Sequence, residues 1–181
     1  MKKKILVLTG SPRSVGNSDL LADAFIKGAH SAGHEVTKIK TDDKNVRGCK
    51  ACRACYSKGV ACVFGDDFNE IAPHMEAADV IVAATPLYWY TFSAQLKAVL
   101  DKMFALRVGK KPLDDKECLL MSCAEEDNLE AFEGLVRSWD LIAKLLNWVE
   151  KGRLLVPSVN DVGDIKKTDA LEKAEAMGAA L

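Results

Sequence analysis

The chain is 181 residues long, 49% hydrophobic and 28% charged, with 25 Lys and Arg against 26 Asp and Glu. That length buries one sizeable core and leaves little room for a second, so a single domain over residues 1–181 is expected. The balanced charge leaves no basic field for nucleic acid, and no stretch approaches the roughly 18 uninterrupted apolar residues of a membrane span.

The chain opens with Lys2, Lys3 and Lys4, but the apolar run behind them, "ILVL", is too short for a signal-peptide core and closes on Gly10 and Pro12. A cytoplasmic location with reduced thiols is therefore expected, which argues against a disulfide scaffold. The run itself reads as a buried strand at 4–9. From Ser18, the residues Leu21, Ala24, Phe25 and Gly28 keep helical spacing, and Gly33 supplies the stop. "EVTKIK" alternates and fits an edge strand at 35–40.

A cysteine-rich loop follows, "GCKACRACYSKGVAC", holding Cys49, Cys52, Cys55 and Cys62, four of the six cysteines. Beyond it, residues 67–77 form a short helix with Pro73 inside it. "DVIVAATP" is a second apolar strand at 79–84, followed by the aromatic stretch "LYWYTF". Leu96, Val99, Leu100, Met103 and Phe104 then share one helical face. "KECLLMSC" gives a core strand near 117–122, in which Cys118 is expected to be packing. Phe132, Leu135, Val136, Trp139, Ile142, Ala143 and Leu146 form the longest apolar stripe, "GRLLVPSV" reads as a fifth strand, and a more polar helix begins at about 165.

Strands taking turns with helices imply parallel βαβ units with helices on both faces of a sheet. The expected fold is α/β: a flavodoxin-like, doubly wound three-layer sandwich around a five-stranded parallel sheet of order 2-1-3-4-5. Such a sheet binds its ligand outside the carboxyl ends of the strands, at the switch between strands 1 and 3. The loop after strand 1, "TGSPRSVGNSDLL", is rich in small and hydroxyl residues and runs into a helix start. Outward-pointing NH groups there suit a phosphate, with Ser11, Arg13, Asn17 and Ser18 around it. Capping by Asn17 or Ser18 alone is the competing reading. Five residues separate Gly10 from Gly16 and Asn17 follows, which excludes a Walker A loop; G-x-G-x-x-G is also missing. A phosphoacceptor receiver needs clustered acids after strand 1, and no Asp precedes Asp19 in that loop. After strand 3, Tyr88, Trp89 and Tyr90 stand at the same sheet edge, where aromatic and backbone groups line flat rings.

Together, "TGSPRSVGNSDLLADAF" and "ATPLYWYTFSAQLKAVLDKM" resemble the flavodoxin-fold, NADPH-dependent FMN reductase family. The resemblance implies FMN, with its phosphate held by Ser11, Arg13, Gly16, Asn17 and Ser18. Its ring edge would meet Pro86, Leu87, Tyr88 and Trp89, and the backbone of Cys123 and Ala124. It also implies NAD(P)H as co-substrate giving hydride to N5, a small-molecule or protein electron acceptor, and a homodimer or homotetramer. One departure is "SCAEEDN" after strand 4, acidic where relatives often carry a glycine-rich loop. No side chain is needed as nucleophile or general base. His30, His34 and His74 are expected to face solvent and are assigned no role.

The spacing C-x2-C-x2-C-x6-C resembles the iron–sulfur flavoprotein branch, in which a compact four-cysteine loop binds a [4Fe-4S] cluster beside FMN. Three uses of the thiols stay open. They are a cluster, zinc, although zinc draws its ligands more often as two separated pairs, and free or redox-active thiols.

Overall fold

In a computed structural model describing residues 1–181, the strands β1 (Lys4–Thr9), β2 (Glu35–Lys40), β3 (Val80–Pro86), β4 (Glu117–Cys123) and β5 (Val149–Val156) form one sheet. Its order is β2-β1-β3-β4-β5, and every pair is parallel. The helices are α1 (Asn17–Ser31), α2 (Phe68–Ala77), α3 (Ala94–Lys102), α4 (Phe104–Val108), α5 (Glu133–Leu145) and α6 (Ala170–Ala179). This is the flavodoxin-like doubly wound architecture that the apolar runs predict.

The sheet divides the core by the two-residue period of its strands. Leu6, Leu8, Ile81, Ala83, Cys118 and Leu120 face α2, α3 and α5, where Ile71, Leu96 and Trp139 are fully buried. Ile5, Val7, Val80, Val82, Leu119 and Met121 face α1 and α6, meeting Phe25 and Ala174. The three central strands thus bury both faces, and for that reason they read as continuous apolar runs. Cys118 is fully buried as expected.

Four expectations about elements need correction. The stripe over Leu96–Phe104 is not one helix: it breaks at Met103 between α3 and α4, and Phe104 is exposed. β5 begins at Val149, three residues before the apolar run, because an edge strand continues through solvent-facing Glu150 and Lys151; it ends before Pro157, which has no NH for the ladder. The polar helix expected from about 165 is a 3₁₀ turn at Asp164–Lys167 followed by α6. His34 is buried rather than solvent-facing, since its Nδ1 accepts the Lys3 N–H at 3.1 Å where the chain enters β1. His30 and His74 are exposed as expected. No helix is long and apolar enough to cross a membrane.

Candidate functional site

The carboxyl ends of β1, β3 and β4 open into a cleft of about 220 Å³ lined by fourteen residues. Ten of the eleven residues anticipated for a flavin lie on it: Ser11, Arg13, Gly16, Asn17, Ser18, Pro86, Leu87, Tyr88, Cys123 and Ala124. Trp89 does not. Four further lining residues, Glu125, Glu126, Val159 and Asn160, were not anticipated as site residues; the acidic pair lies in the departing segment after β4, and nothing local marks Val159 or Asn160.

The floor of the cleft is the start of α1. Gly16 takes the N-cap position, so no side chain caps the helix. The NH groups of Asp19 and Leu20 both bond the Gly16 carbonyl, at 2.9 Å each. Those of Asn17 and Ser18 sit at the positive end of the helix, where anions are stabilised. Ser18 Oγ is buried without a hydrogen-bond partner, a cost that a bound acceptor would remove. Ser11, also buried, accepts the Arg13 N–H at 3.2 Å. A Cβ at position 16 would lie 2.5 Å from Ser11 Oγ, so glycine there keeps the hydroxyl in place.

Asn17 is differently occupied. Its amide donates to the Asp161 carbonyl at 2.8 Å and accepts the NH groups of Gly163, at 2.9 Å, and Ile165, at 3.4 Å. Its side chain therefore clasps the segment after β5, leaving only its backbone NH for a ligand. Arg13 reaches the same segment, donating from Nη1 to the Asn160 carbonyl at 3.1 Å while its side chain stays exposed.

The wall after β3 is held by the Leu87 N–H bonding the Cys123 carbonyl at 2.9 Å. A tight hairpin follows, in which Tyr88 and Thr91 exchange both backbone bonds. Its central residues, Trp89 and Tyr90, have φ of 46° and 63°, a left-handed pair normally left to Asn or Gly. That geometry turns Trp89 out of the cleft, 93% exposed. The Cys123 thiol is pushed up to about 12 by burial, against the Ser18 NH and Arg13, and is a neutral packing group beneath the cleft.

A second, smaller pocket, mostly apolar, is lined by Cys49, Cys52, Cys55 and Cys62 together with Phe64, Lys102 and Phe104. The thiols are near enough for Cys55 to be pushed upward by burial first and then by its three neighbours. No three His, Cys, Asp or Glu side chains converge closely enough to ligate a single ion. Left-handed Ala51, Arg53 and Tyr56 coil the chain between the cysteines. The loop is fastened to the body at two points. The Tyr56 hydroxyl donates to Glu76 at 2.6 Å, with its ring under Lys111 at 5.0 Å. Asn69 bonds both backbone groups of Cys62, at 2.6 and 3.0 Å. Cys49 and Cys52 lie on the exposed limb.

The NADPH-dependent FMN reductase family matches residues 3–138; the chain belongs to that family. It is 35% identical over 109 residues to an iron-sulfur flavoprotein of Archaeoglobus fulgidus, covering 60% of this chain and 48% of the relative. It is 38% identical over 113 residues to an iron-sulfur flavoprotein of Methanosarcina thermophila, covering 62% and 59%. The chain thus spans about half the length of the curated relatives it matches. Among solved structures, an NAD(P)H:quinone oxidoreductase from Methanothermobacter marburgensis superposes with a TM-score of 0.75 at 17% identity, covering 99% of this chain and 96% of that one. That likeness speaks for the fold.

Proposed function

We propose that this protein is an FMN-dependent NAD(P)H oxidoreductase whose flavin lies in the cleft at the ends of β1, β3 and β4. The observation that carries the reading is the uncapped start of α1 with the buried, unpartnered Ser18 hydroxyl beside it. An uncapped helix end needs an acceptor, and a phosphate dianion supplies several. Family membership and the cleft's place at the carboxyl ends of the strands support it. Bound there, FMN would take a hydride at N5 from NAD(P)H and pass electrons to a small-molecule or protein acceptor.

The residues bind and orient. Ser18, the α1 NH groups, Ser11 and Arg13 hold the phosphate end. Pro86, Leu87 and Tyr88, with the backbone of Cys123 and Ala124, flank the ring edge. Asn17 keeps the 160–165 segment against the phosphate side. Trp89, exposed beside the cleft, would meet a second subunit in a homodimer or homotetramer. Replacing Arg13 and Ser18 together by Ala should weaken FMN about a hundredfold to ten-thousandfold, since hydrogen bonds to a charged group contribute roughly 1.5–3 kcal/mol each. Flavin fluorescence titration reads this; unchanged affinity in a folded double variant would remove the site.

A second reading is favoured by the cysteine pocket. Four thiols line one apolar recess, thiolates are the standing ligands of iron–sulfur clusters, and the two relatives above are named as iron-sulfur flavoproteins. In this reading Cys49, Cys52, Cys55 and Cys62 hold a [4Fe-4S] cluster, which would supply one-electron transfer to a protein partner. Iron, sulfide and zinc counted per chain in an anaerobic preparation decide between the two readings. About four irons support the cluster; flavin without metal leaves a plain reductase with a thiol-rich loop.

A further inference from the structure

Lys102 and Asp66 are both buried, at 4% and 7% exposure, and form an ion pair. A buried pair of this kind contributes little net stability, because desolvation offsets the attraction and apolar residues would fill the space as well. Its placement is more informative than its energy. The Lys102 ammonium also donates to Cys62 Sγ at 3.6 Å and lines the cysteine pocket.

Both ends of that contact are immobilised. The Asp66 carboxylate accepts the backbone NH groups of Arg47 at 3.0 Å and Phe68 at 3.2 Å, so it anchors the ammonium. Asn69 clamps the Cys62 backbone from the other side. Lys50 and Arg53 also line the pocket, but both are exposed and screened by solvent. Lys102 is its buried cation.

We infer that Lys102 is a positioning residue for the cysteine pocket: held by Asp66, it hydrogen-bonds Cys62 Sγ and raises the reduction potential of an anionic iron–sulfur cluster bound there. The inference rests on the cluster reading. A four-thiolate cluster is negatively charged and gains a further charge on reduction, so a buried ammonium favours the reduced form more than the oxidised one. Hydrogen bonds to the sulfurs act in the same direction.

The test uses the full chain with its flavin, reconstituted anaerobically with ferrous iron and sulfide. Wild type is compared with Lys102→Met, Lys102→Arg and the double variant Asp66→Asn/Lys102→Met, which removes both charges and leaves no unpaired carboxylate if the single variant fails to fold. Iron per chain gives loading, and the EPR signal of the reduced cluster, followed through a potentiometric titration, gives the midpoint. The expected result is a midpoint lowered in the Met variants by about 59 mV, a tenfold change in a one-electron equilibrium, with Lys102→Arg close to wild type. Midpoints in both Met variants equal to wild type would overturn the role of Lys102 while leaving the cluster in place. Wild-type chain that takes up no iron would overturn the cluster reading, and the inference with it.

Discussion

Single residues at the cleft divide into those that present themselves to a ligand and those that hold the presenters. Ser18 is of the first kind and Asn17 of the second, although the two are adjacent and the loop's composition groups both as phosphate contacts. A sequence shows that an amide stands at a helix start; it does not show that three backbone groups more than 140 positions away consume it. Asn17→Ala should accordingly destabilise the fold by about 1–3 kcal/mol through the orphaned NH groups of Gly163 and Ile165. The check is chemical denaturation of the flavin-free protein, where a mere ligand-binding residue would show no loss. The thiols can be ranked by the same attention to surroundings. Cys49 and Cys52 are exposed, Cys55 and Cys62 half-buried, and Cys118 and Cys123 buried, the last two each pushed up to about 12 by burial. In metal-free protein a thiol reagent should take Cys49 and Cys52 first, Cys55 and Cys62 more slowly, and Cys118 and Cys123 only on unfolding; peptide mapping of timed samples gives the order.

At the scale of elements, the central strands were legible because burial on both faces makes them continuously apolar, and the loops after β1 and β3 because sheet topology says where a ligand goes. The edges were less legible: β5 begins among polar residues that face water, and the break at Met103 leaves Phe104 on the helical period yet exposed. Val159 and Asn160 complete the cleft only through tertiary closure, which has no local pattern to betray it. The α1–α6 contact illustrates another silent feature. A Cβ on Gly28 would lie 1.9 Å from the Glu175 carbonyl oxygen, and one on Gly178 would lie 2.1 Å from that of Phe25, so the two helices touch backbone to backbone. Gly178→Ala should separate them at a cost of about 1–3 kcal/mol or more. A lowered thermal midpoint with little change in FMN affinity is the expected pair of results, because position 178 lies away from the cleft lining.

Across the whole molecule the two edges of the sheet do different work. The carboxyl edge carries the flavin cleft, whereas the cysteine pocket lies against Lys102, Phe104 and Ala105 where α3 gives way to α4. The amino edge is tied by charge: Glu117 meets Lys3 at 2.6 Å and Lys151 at 3.5 Å. Burial pushes the Glu117 carboxyl upward, but the Lys3 hydrogen bond and the charges of Lys3 and Lys151 outweigh it and hold the group below its ordinary 4.5. A carboxylate depressed on folding contributes stability that is present above 4.5 and lost as pH falls through the lower folded value. Glu117→Gln should therefore flatten the fall in stability on the acid side of pH 4.5, as denaturation curves at stepped pH would show; an unchanged slope would mean the pair is screened out. The clasp from Asn17 to residues 161–165 has a further consequence, in time rather than space. Residues 11–18 of the cradle leave a ribosome well before residues 160–165, so a nascent chain exposing only β1 to β4 offers a cleft open on one side. Flavin capture should begin only as Asn160 to Ile165 emerge, and stalled chains of graded length, probed for bound FMN, would show binding only in chains long enough to expose that segment.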